Sequence, residues 1–368
     1  MSGIPTAEVN KTHHTIMIRG GDNKMKRREF VKSIAIGGAM ISMGSALLPR
    51  PVSATPGGKI DIGACRSVKV TCISEVGWHD TGKLIAQMKA AGGPQTDQWS
   101  IQWDPDNGAG SCSLVEIEGL DGSIHRFLMD VGWNPKYMAE RFAATGVDRM
   151  LRDGEIEFLF ITHEHLDHLW GLETVLRLKP DITIMVPSTF HEPAFQLIEG
   201  SKFPVPGVEN AVHHTGKLIK HTPGGVHPLV PGMAAATFDL PIILGIQGEQ
   251  SLYANIAGKG VVCITGCCHQ TILKFAGYAR EHLAEGDKLY GVYGGLHIAP
   301  FGPLKPEQEE MVRAIGQFGF SKIACNHCTG LPAVEMMTTL GYPVVKGTGG
   351  SGSASDLYIG NGDSVTFT

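Results

Sequence analysis

From Ser67 to Ser74 apolar and polar residues alternate, which predicts a first strand; from Thr81 to Ala91 the apolar residues recur at helical spacing until Gly92-Gly93-Pro94 stops them. Residues 95–110 carry two tryptophans and the turn-rich Asp104-Pro105-Asp106-Asn107-Gly108, and read as a long loop that walls a substrate pocket. Two β-rich runs, 111–117 and 125–130, are joined by Gly119-Leu120-Asp121-Gly122 as a hairpin. A helix is predicted over 135–145, with proline in its first turn, a strand over 156–161, a helix over 169–178 and a buried strand over 181–186. The pattern weakens from 190 to 241, rich in proline and glycine and holding His213, His214, His221 and His227, and that stretch reads as an insertion over the site. A second hairpin, 250–257 with 261–265, follows, then helix 271–285, strand 288–293, helix 306–318, strand 322–324 and helix 331–340. Short strands at 342–345 and 356–359 flank a Gly/Ser-rich stretch. No repeat or linker divides this order, so residues 55–368 read as one domain.

Several of these strands end alike, in a glycine or polar turn and then a histidine. Phe158 to Ile161 runs into Thr162-His163-Glu164-His165-Leu166-Asp167-His168, the 261–265 strand into Gly266-Cys267-Cys268-His269, the 288–293 strand into Gly294-Gly295-Leu296-His297, and the 322–324 strand into Cys325-Asn326-His327-Cys328. Histidine, carboxylate and thiol are the side chains that hold borderline divalent metals. His163 and His165 project the same way from an extended segment, so both imidazoles reach one ion, while Asp167 and His168 follow where the chain turns and face a second. One short peptide thus supplies half the ligands of a two-metal centre. Asp130, at another strand end in Leu128-Met129-Asp130-Val131-Gly132, reads either as a carboxylate that orients a metal-binding histidine or as a simple turn former.

Composition changes this picture at the N-terminus. Lys26-Arg27-Arg28-Glu29-Phe30-Val31-Lys32 precedes a weakly apolar run, Ile34 to Leu48, and Val52-Ser53-Ala54 offers the small residues a signal peptidase reads. This is the pattern of a twin-arginine export signal over 1–54, which implies the twin-arginine translocase as a partner and a periplasmic or otherwise exported destination. The apolar run is shorter than the roughly 20 residues of a spanning helix, so no stable membrane span is expected. Without 1–54 the chain keeps 23 Lys/Arg against 33 Asp/Glu, an acidic balance that argues against nucleic acid. Eight cysteines in an exported chain permit disulfides, but a domain this size does not need them as a framework, and no pairing is assigned.

Asp130-Val131-Gly132 and Thr162-His163-Glu164-His165-Leu166-Asp167-His168 together resemble the metallo-β-lactamase superfamily. Thr265-Gly266-Cys267-Cys268-His269, Gly294-Gly295-Leu296-His297 and His327-Cys328-Thr329-Gly330 are similar to a subgroup labelled as 7,8-dihydropterin-6-methyl-4-(β-D-ribofuranosyl)-aminobenzene-5′-phosphate synthase. The resemblance implies an α/β fold, the αβ/βα four-layer sandwich of two mixed sheets, with a metal site at one edge. It also implies His163, His165 and His269 as ligands of one metal and Asp167, His168 and His327 as ligands of the other. Where the superfamily usually has a bridging Asp, this chain has Cys267 or the turn before His297 as the nearest candidates, so Cys267 and His297 stand as possible metal or substrate contacts.

Two such ions, zinc or else iron or manganese, polarise a substrate oxygen and lower the pKa of a bound water toward about 7, giving hydroxide as nucleophile. Asp167 would hold one ion and accept a hydrogen bond from that hydroxide. The reaction expected is hydrolysis of an ester, phosphoester or amide-like bond in a small molecule. Two rivals use the same fold: a metal- or ligand-binding sensor without turnover, and an iron-dependent redox enzyme. The redox members usually carry Glu where His165 stands and add a flavin domain, neither of which is seen here. The subgroup's cytoplasmic pterin chemistry fits poorly with export and is not adopted. Nothing in the chain indicates an oligomeric state.

Overall fold

The computed structural model describes residues 53–54, 58–200 and 212–368. The expected export segment therefore lies outside the described residues except for its last two. Those form β1 (Ser53–Ala54), paired with β2 (Ile60–Asp61). Then come β3 (Cys65–Ser74), α1 (Thr81–Ala90), β4 (Cys112–Gly119), β5 (Ile124–Met129), α2 (Pro135–Thr145), α3 (Val147–Arg152) and β6 (Phe158–Phe160). After the histidine-rich turn follow α4 (Leu166–Leu169), α5 (Leu172–Leu176), β7 (Thr183–Pro187), α6 (Glu192–Glu199), β8 (Leu218–His221), β9 (Val226–Val230), β10 (Met233–Ile242) and β11 (Ile246–Ile256). The chain closes with β12 (Gly260–Thr265), α7 (Ile272–His282), β13 (Leu289–Gly295), α8 (Pro306–Ile315), β14 (Lys322–Asn326), α9 (Leu331–Thr339) and β15 (Ser364–Phe367). Among the described residues no helix is long and apolar enough to cross a membrane.

Three apolar clusters define the layers. One lies between two sheet faces: Val68, Val70, Val115, Ile117, Phe127 and Phe160 from β3–β6 meet Leu252, Ala254, Val262, Ile264 and Ala324 from β11–β14. A second packs α2, α3, α5 and α6 on the outside of β5–β7, and a third packs α7–α9 on the outside of β12–β14. Helix, sheet, sheet, helix is the αβ/βα sandwich. The two sheets are stitched into one hydrogen-bonded path where Cys65 of β3 pairs with Ile256 of β11.

Parallel pairing positions the chemistry. β5 runs parallel to β6, and β12 to β13 to β14. The C-terminal ends of these strands therefore open on one edge of each sheet, and the polar turns that follow them share that edge. Such turns sit best beyond strand ends, where backbone groups need no ladder partner.

Several elements depart from the sequence expectation. The helix expected over 169–178 is two short pieces, because Gly171 packs against the carbonyl of Val131 and its N–H bonds to Gly132 O at 2.8 Å, where a side chain has no room. The segment around 190–241, expected as an insertion, contributes α6 and the three strands β8–β10, and β10 pairs with β11 over most of its length. Its strands are interrupted by Pro228 and Pro241, which blur the period-two signal. Residues 342–345 and 356–359 form no strand beyond a single bridge at Val344; the C-terminal strand is β15, antiparallel to β3.

Candidate metal centre

The turn after β6 is held from beneath. Asp130, just past β5 with φ +64°, accepts from the Thr162 N–H at 2.7 Å and from its hydroxyl, and its second oxygen accepts from His168 Nδ1 at 2.7 Å. Because the Thr162 hydroxyl proton goes to Asp130, its oxygen accepts from His163 Nδ1 at 2.9 Å. Gln98, fully buried, clamps the same turn by donating to Glu164 O and accepting from Leu166 N–H. A substitution at Gly266 would press a Cβ against Asp130 Oδ2 at 2.8 Å, so the turn after β12 approaches this buried carboxylate closely only because it begins with glycine.

Each histidine is tied by one ring nitrogen to an oxygen, which leaves the other as a lone pair. His165 Nε2 donates to Ile243 O at 2.9 Å, His269 Nδ1 to Glu249 Oε2 at 3.1 Å, and His327 Nδ1 to Glu75 O at 2.8 Å. The free atoms are then Nε2 of His163, Nδ1 of His165 and Nε2 of His269 in one trio, and Nε2 of His168 and His327 with the Asp167 carboxylate in the other. The donor atoms of each trio lie within 4.8 Å of one another. Asp167 Oδ2 stands 3.2 Å from His327 Nε2 and 3.7 Å from His168 Nε2.

This arrangement fits divalent cations. His163 Nε2 faces His165 Nδ1 at 3.0 Å, and His168 Nε2 faces His327 Nε2 at 3.3 Å. Lone pairs so close repel unless a cation or a proton lies between them. His269 Nε2 and His297 Nδ1 are buried with no hydrogen-bond partner at all. Burial and the surrounding imidazoles push His163 and His269 far down and His165 down to about 3, so this trio is neutral, the form in which imidazole binds metal. In the other trio burial is outweighed. Asp167 and Asp130 hold His168 up, and Cys328 and Asp167 hold His327 up to about 10. Asp167 is itself kept below the usual carboxylate range, against burial, by His168 and His327.

Asp130, His163, His165, Asp167, His168, Cys267, His269, His297 and His327 all lie at this edge. His297, with φ +42°, packs at a tilt against His269, 4.4 Å between ring centres, and shares a donor group with His269 and Cys267. His213, His214 and His227 bond instead to backbone carbonyls and His221 to Gln250, and none of the four belongs to a donor group. All eight cysteines are free and buried. Sequence reading did not find Glu249, whose fully buried carboxylate accepts from the N–H groups of Cys267, Cys268 and His269. The available signal was Glu249-Gln250-Ser251, three polar residues running through a strand with none exposed.

Above the donors is a narrow pocket walled by Trp78, Leu84, Met88, Trp103, Leu244 and Phe301. Two of these wall residues, Trp78 and Phe301, stack with ring centres 5.7 Å apart. Among the described residues no Lys or Arg lines it.

Among curated proteins none matches this chain. Solved structures do: a metal-dependent hydrolase of the β-lactamase superfamily, Tm1679, is similar at 17% identity over 82% of this chain and 98% of that one, with a TM-score of 0.49. A quorum-quenching N-acyl homoserine lactone lactonase is similar at 16% over 55% and 74%, TM-score 0.32. MEM-A1, a subclass B3 metallo-β-lactamase from a soil metagenome library, is similar at 14% over 63% and 80%, TM-score 0.33. The family model described as the Metallo-beta-lactamase superfamily matches residues 105–236, a span that includes His163 to His168 and stops before His269. Residues 105–236 thus resemble the metallo-β-lactamase superfamily, and the αβ/βα sandwich of this chain is the metallo-β-lactamase fold.

Proposed function

We propose that this protein is an exported metal-dependent hydrolase with a dinuclear site, acting on a neutral carboxylic ester, lactone or amide-like bond that carries an apolar group. The observation that supports it most is the convergence of two three-donor trios, every histidine oriented by an oxygen partner, at the floor of an apolar pocket. His163, His165 and His269 would hold one ion, and Asp167, His168 and His327 the other. Bound there, divalent zinc or a similar ion would polarise the scissile carbonyl and make a water nucleophilic near neutral pH.

The chain's own residues do the rest. Asp130, Thr162 and Glu249 fix which nitrogen each of His168, His163 and His269 presents, so the donors need little reorganisation. The Asp167 carboxylate, held below the usual carboxylate range and so ionised at neutral pH, would hold one ion and accept a hydrogen bond from an attacking water at this floor. Trp78, Trp103, Leu244 and Phe301 exclude bulk water and give an acyl chain somewhere to bind. Metal ions at the floor would meet the charge of a phosphoester, but the walls are apolar and add no Arg or Lys among the described residues, which favours an apolar ester or amide.

The test is a panel of neutral esters, lactones, lactams and phosphodiesters, run on protein of known metal content. Turnover of a neutral acyl substrate is expected to disappear on chelation and return with zinc. Less than one transition metal per chain together with chelator-insensitive activity would overturn the metal reading, and phosphodiesters turned over faster than esters would overturn the substrate class. Export has its own check. Arg27→Lys with Arg28→Lys is expected to leave the unprocessed chain in the cytoplasm on fractionation, whereas unchanged export would remove the twin-arginine assignment.

A further inference from the structure

Three of the five donor groups at this edge share one residue, Cys267. Its sulfur lies within 4.8 Å of donor nitrogens of His163 and His269 in one trio and of His168 and His327 in the other. Among them His168 Nε2 stands at 3.1 Å, the nitrogen that the bond to Asp130 leaves free for a metal. Each trio is one ligand short of a four-coordinate site, and the only carboxylate among the grouped donors, Asp167, belongs to one trio alone. We infer that Cys267 is the shared ligand, a thiolate that bridges the two metal ions.

Its neighbour supplies the contrast. Cys268 points into the apolar cluster with Ile272, Phe275 and Ala276, as a buried structural thiol does, whereas Cys267 is equally buried yet belongs to none of the three apolar clusters. The backbone is arranged for that difference. Glu249 holds the N–H groups of 267, 268 and 269 on one carboxylate, and Cys268 takes the left-handed conformation, φ +60°, which turns the two consecutive side chains apart. A packing thiol needs no such anchoring.

A sulfur ligand shared by both ions narrows the metal. Thiolate favours zinc, iron or cobalt, and disfavours the hard ions manganese, magnesium and calcium. This inference rests on the metal-dependent reading above, and its test separates the two. The full chain is stripped and titrated with Co(II), and sulfur-to-cobalt charge transfer is followed in the near ultraviolet alongside bound cobalt by elemental analysis. The expected result is a charge-transfer band that grows through both equivalents of cobalt, is lost in C267S and in C267D, and persists in C328S. Binding of about two cobalt ions per chain without the band would overturn the thiolate bridge and leave the dinuclear site standing. A band that saturates at the first equivalent, or that is lost in C328S and kept in C267S, would likewise overturn it. No cobalt uptake at all would overturn both. Because the wild-type spectrum alone can refute the bridge, a variant that misfolds does not shelter it.

Discussion

Asp130→Ala is expected to destabilise the protein by about 3–5 kcal/mol and to weaken metal binding by about 10–100-fold. The carboxylate takes three donors at once, the Thr162 N–H, the Thr162 hydroxyl and His168 Nδ1, all buried. Removing it leaves each without a partner and without water, at roughly 1–3 kcal/mol apiece, partly offset where the turn relaxes. The backbone adds to this, since φ +64° suits Asp or Asn better than Ala. The metal effect is separable: with Nδ1 unbound, His168 loses its orientation, and Thr162, no longer committed to Asp130, ceases to fix His163 Nδ1. Asp130→Asn tests the division, because it keeps shape and φ but places an amide donor against donors. Urea unfolding of the chelated protein and metal retention on dialysis are the two measurements. Stability within about 0.5 kcal/mol of wild type in Asp130→Ala would mean that the carboxylate only caps a turn.

How much of this could be read in advance follows the distance along the chain. His163 to His168 fall within six residues, and their convergence was legible because a single strand and turn deliver them. His269, His297 and His327 were legible for a related reason: each follows its own strand within a few residues, and parallel pairing of β12, β13 and β14 carries those ends to one edge. Helix α2 was equally clear, with Asn134 capping it and Gly146 at φ +78° ending it. What stayed hidden is what only the sandwich brings together. Ile243 O reaches His165 across 78 residues and Glu75 O reaches His327 across 252, and a backbone carbonyl leaves no trace in residue type. The strands of 218–242 were obscured by Pro228 and Pro241, which remove ladder donors while the strands still pair on their remaining groups. Cys267 and Cys268 are adjacent and chemically identical, so their division between metal edge and apolar cluster rests on one left-handed φ that sequence does not display.

Glu249→Ala is expected to reach further than any substitution among the proposed metal ligands, costing about 3–6 kcal/mol of stability and displacing His269 and Cys267 together. Its carboxylate gathers three consecutive backbone N–H groups at 3.2, 2.9 and 2.6 Å and the His269 ring at 3.1 Å, with no solvent access. Successive N–H groups aimed at one anion form a nest, and burial leaves no water to take the place of its acceptor. The contrast with a ligand such as His269 is instructive. His269→Ala removes one donor from one trio but leaves the turn standing, so the other trio is expected to keep its ion and the fold its stability within about 1–2 kcal/mol. Glu249→Ala lets the whole 267–269 turn relax, and with it the residue that touches both trios. Glu249→Gln sharpens the measurement, since it retains one oxygen for part of the nest and opposes the rest with an amide N–H. Its loss should fall between the two. Chemical denaturation of the chelated proteins, paired with elemental analysis of the metal-loaded ones, tests the ordering. A Glu249→Ala protein as stable as His269→Ala and still loaded at both positions would show that the turn holds its shape without its buried acceptor.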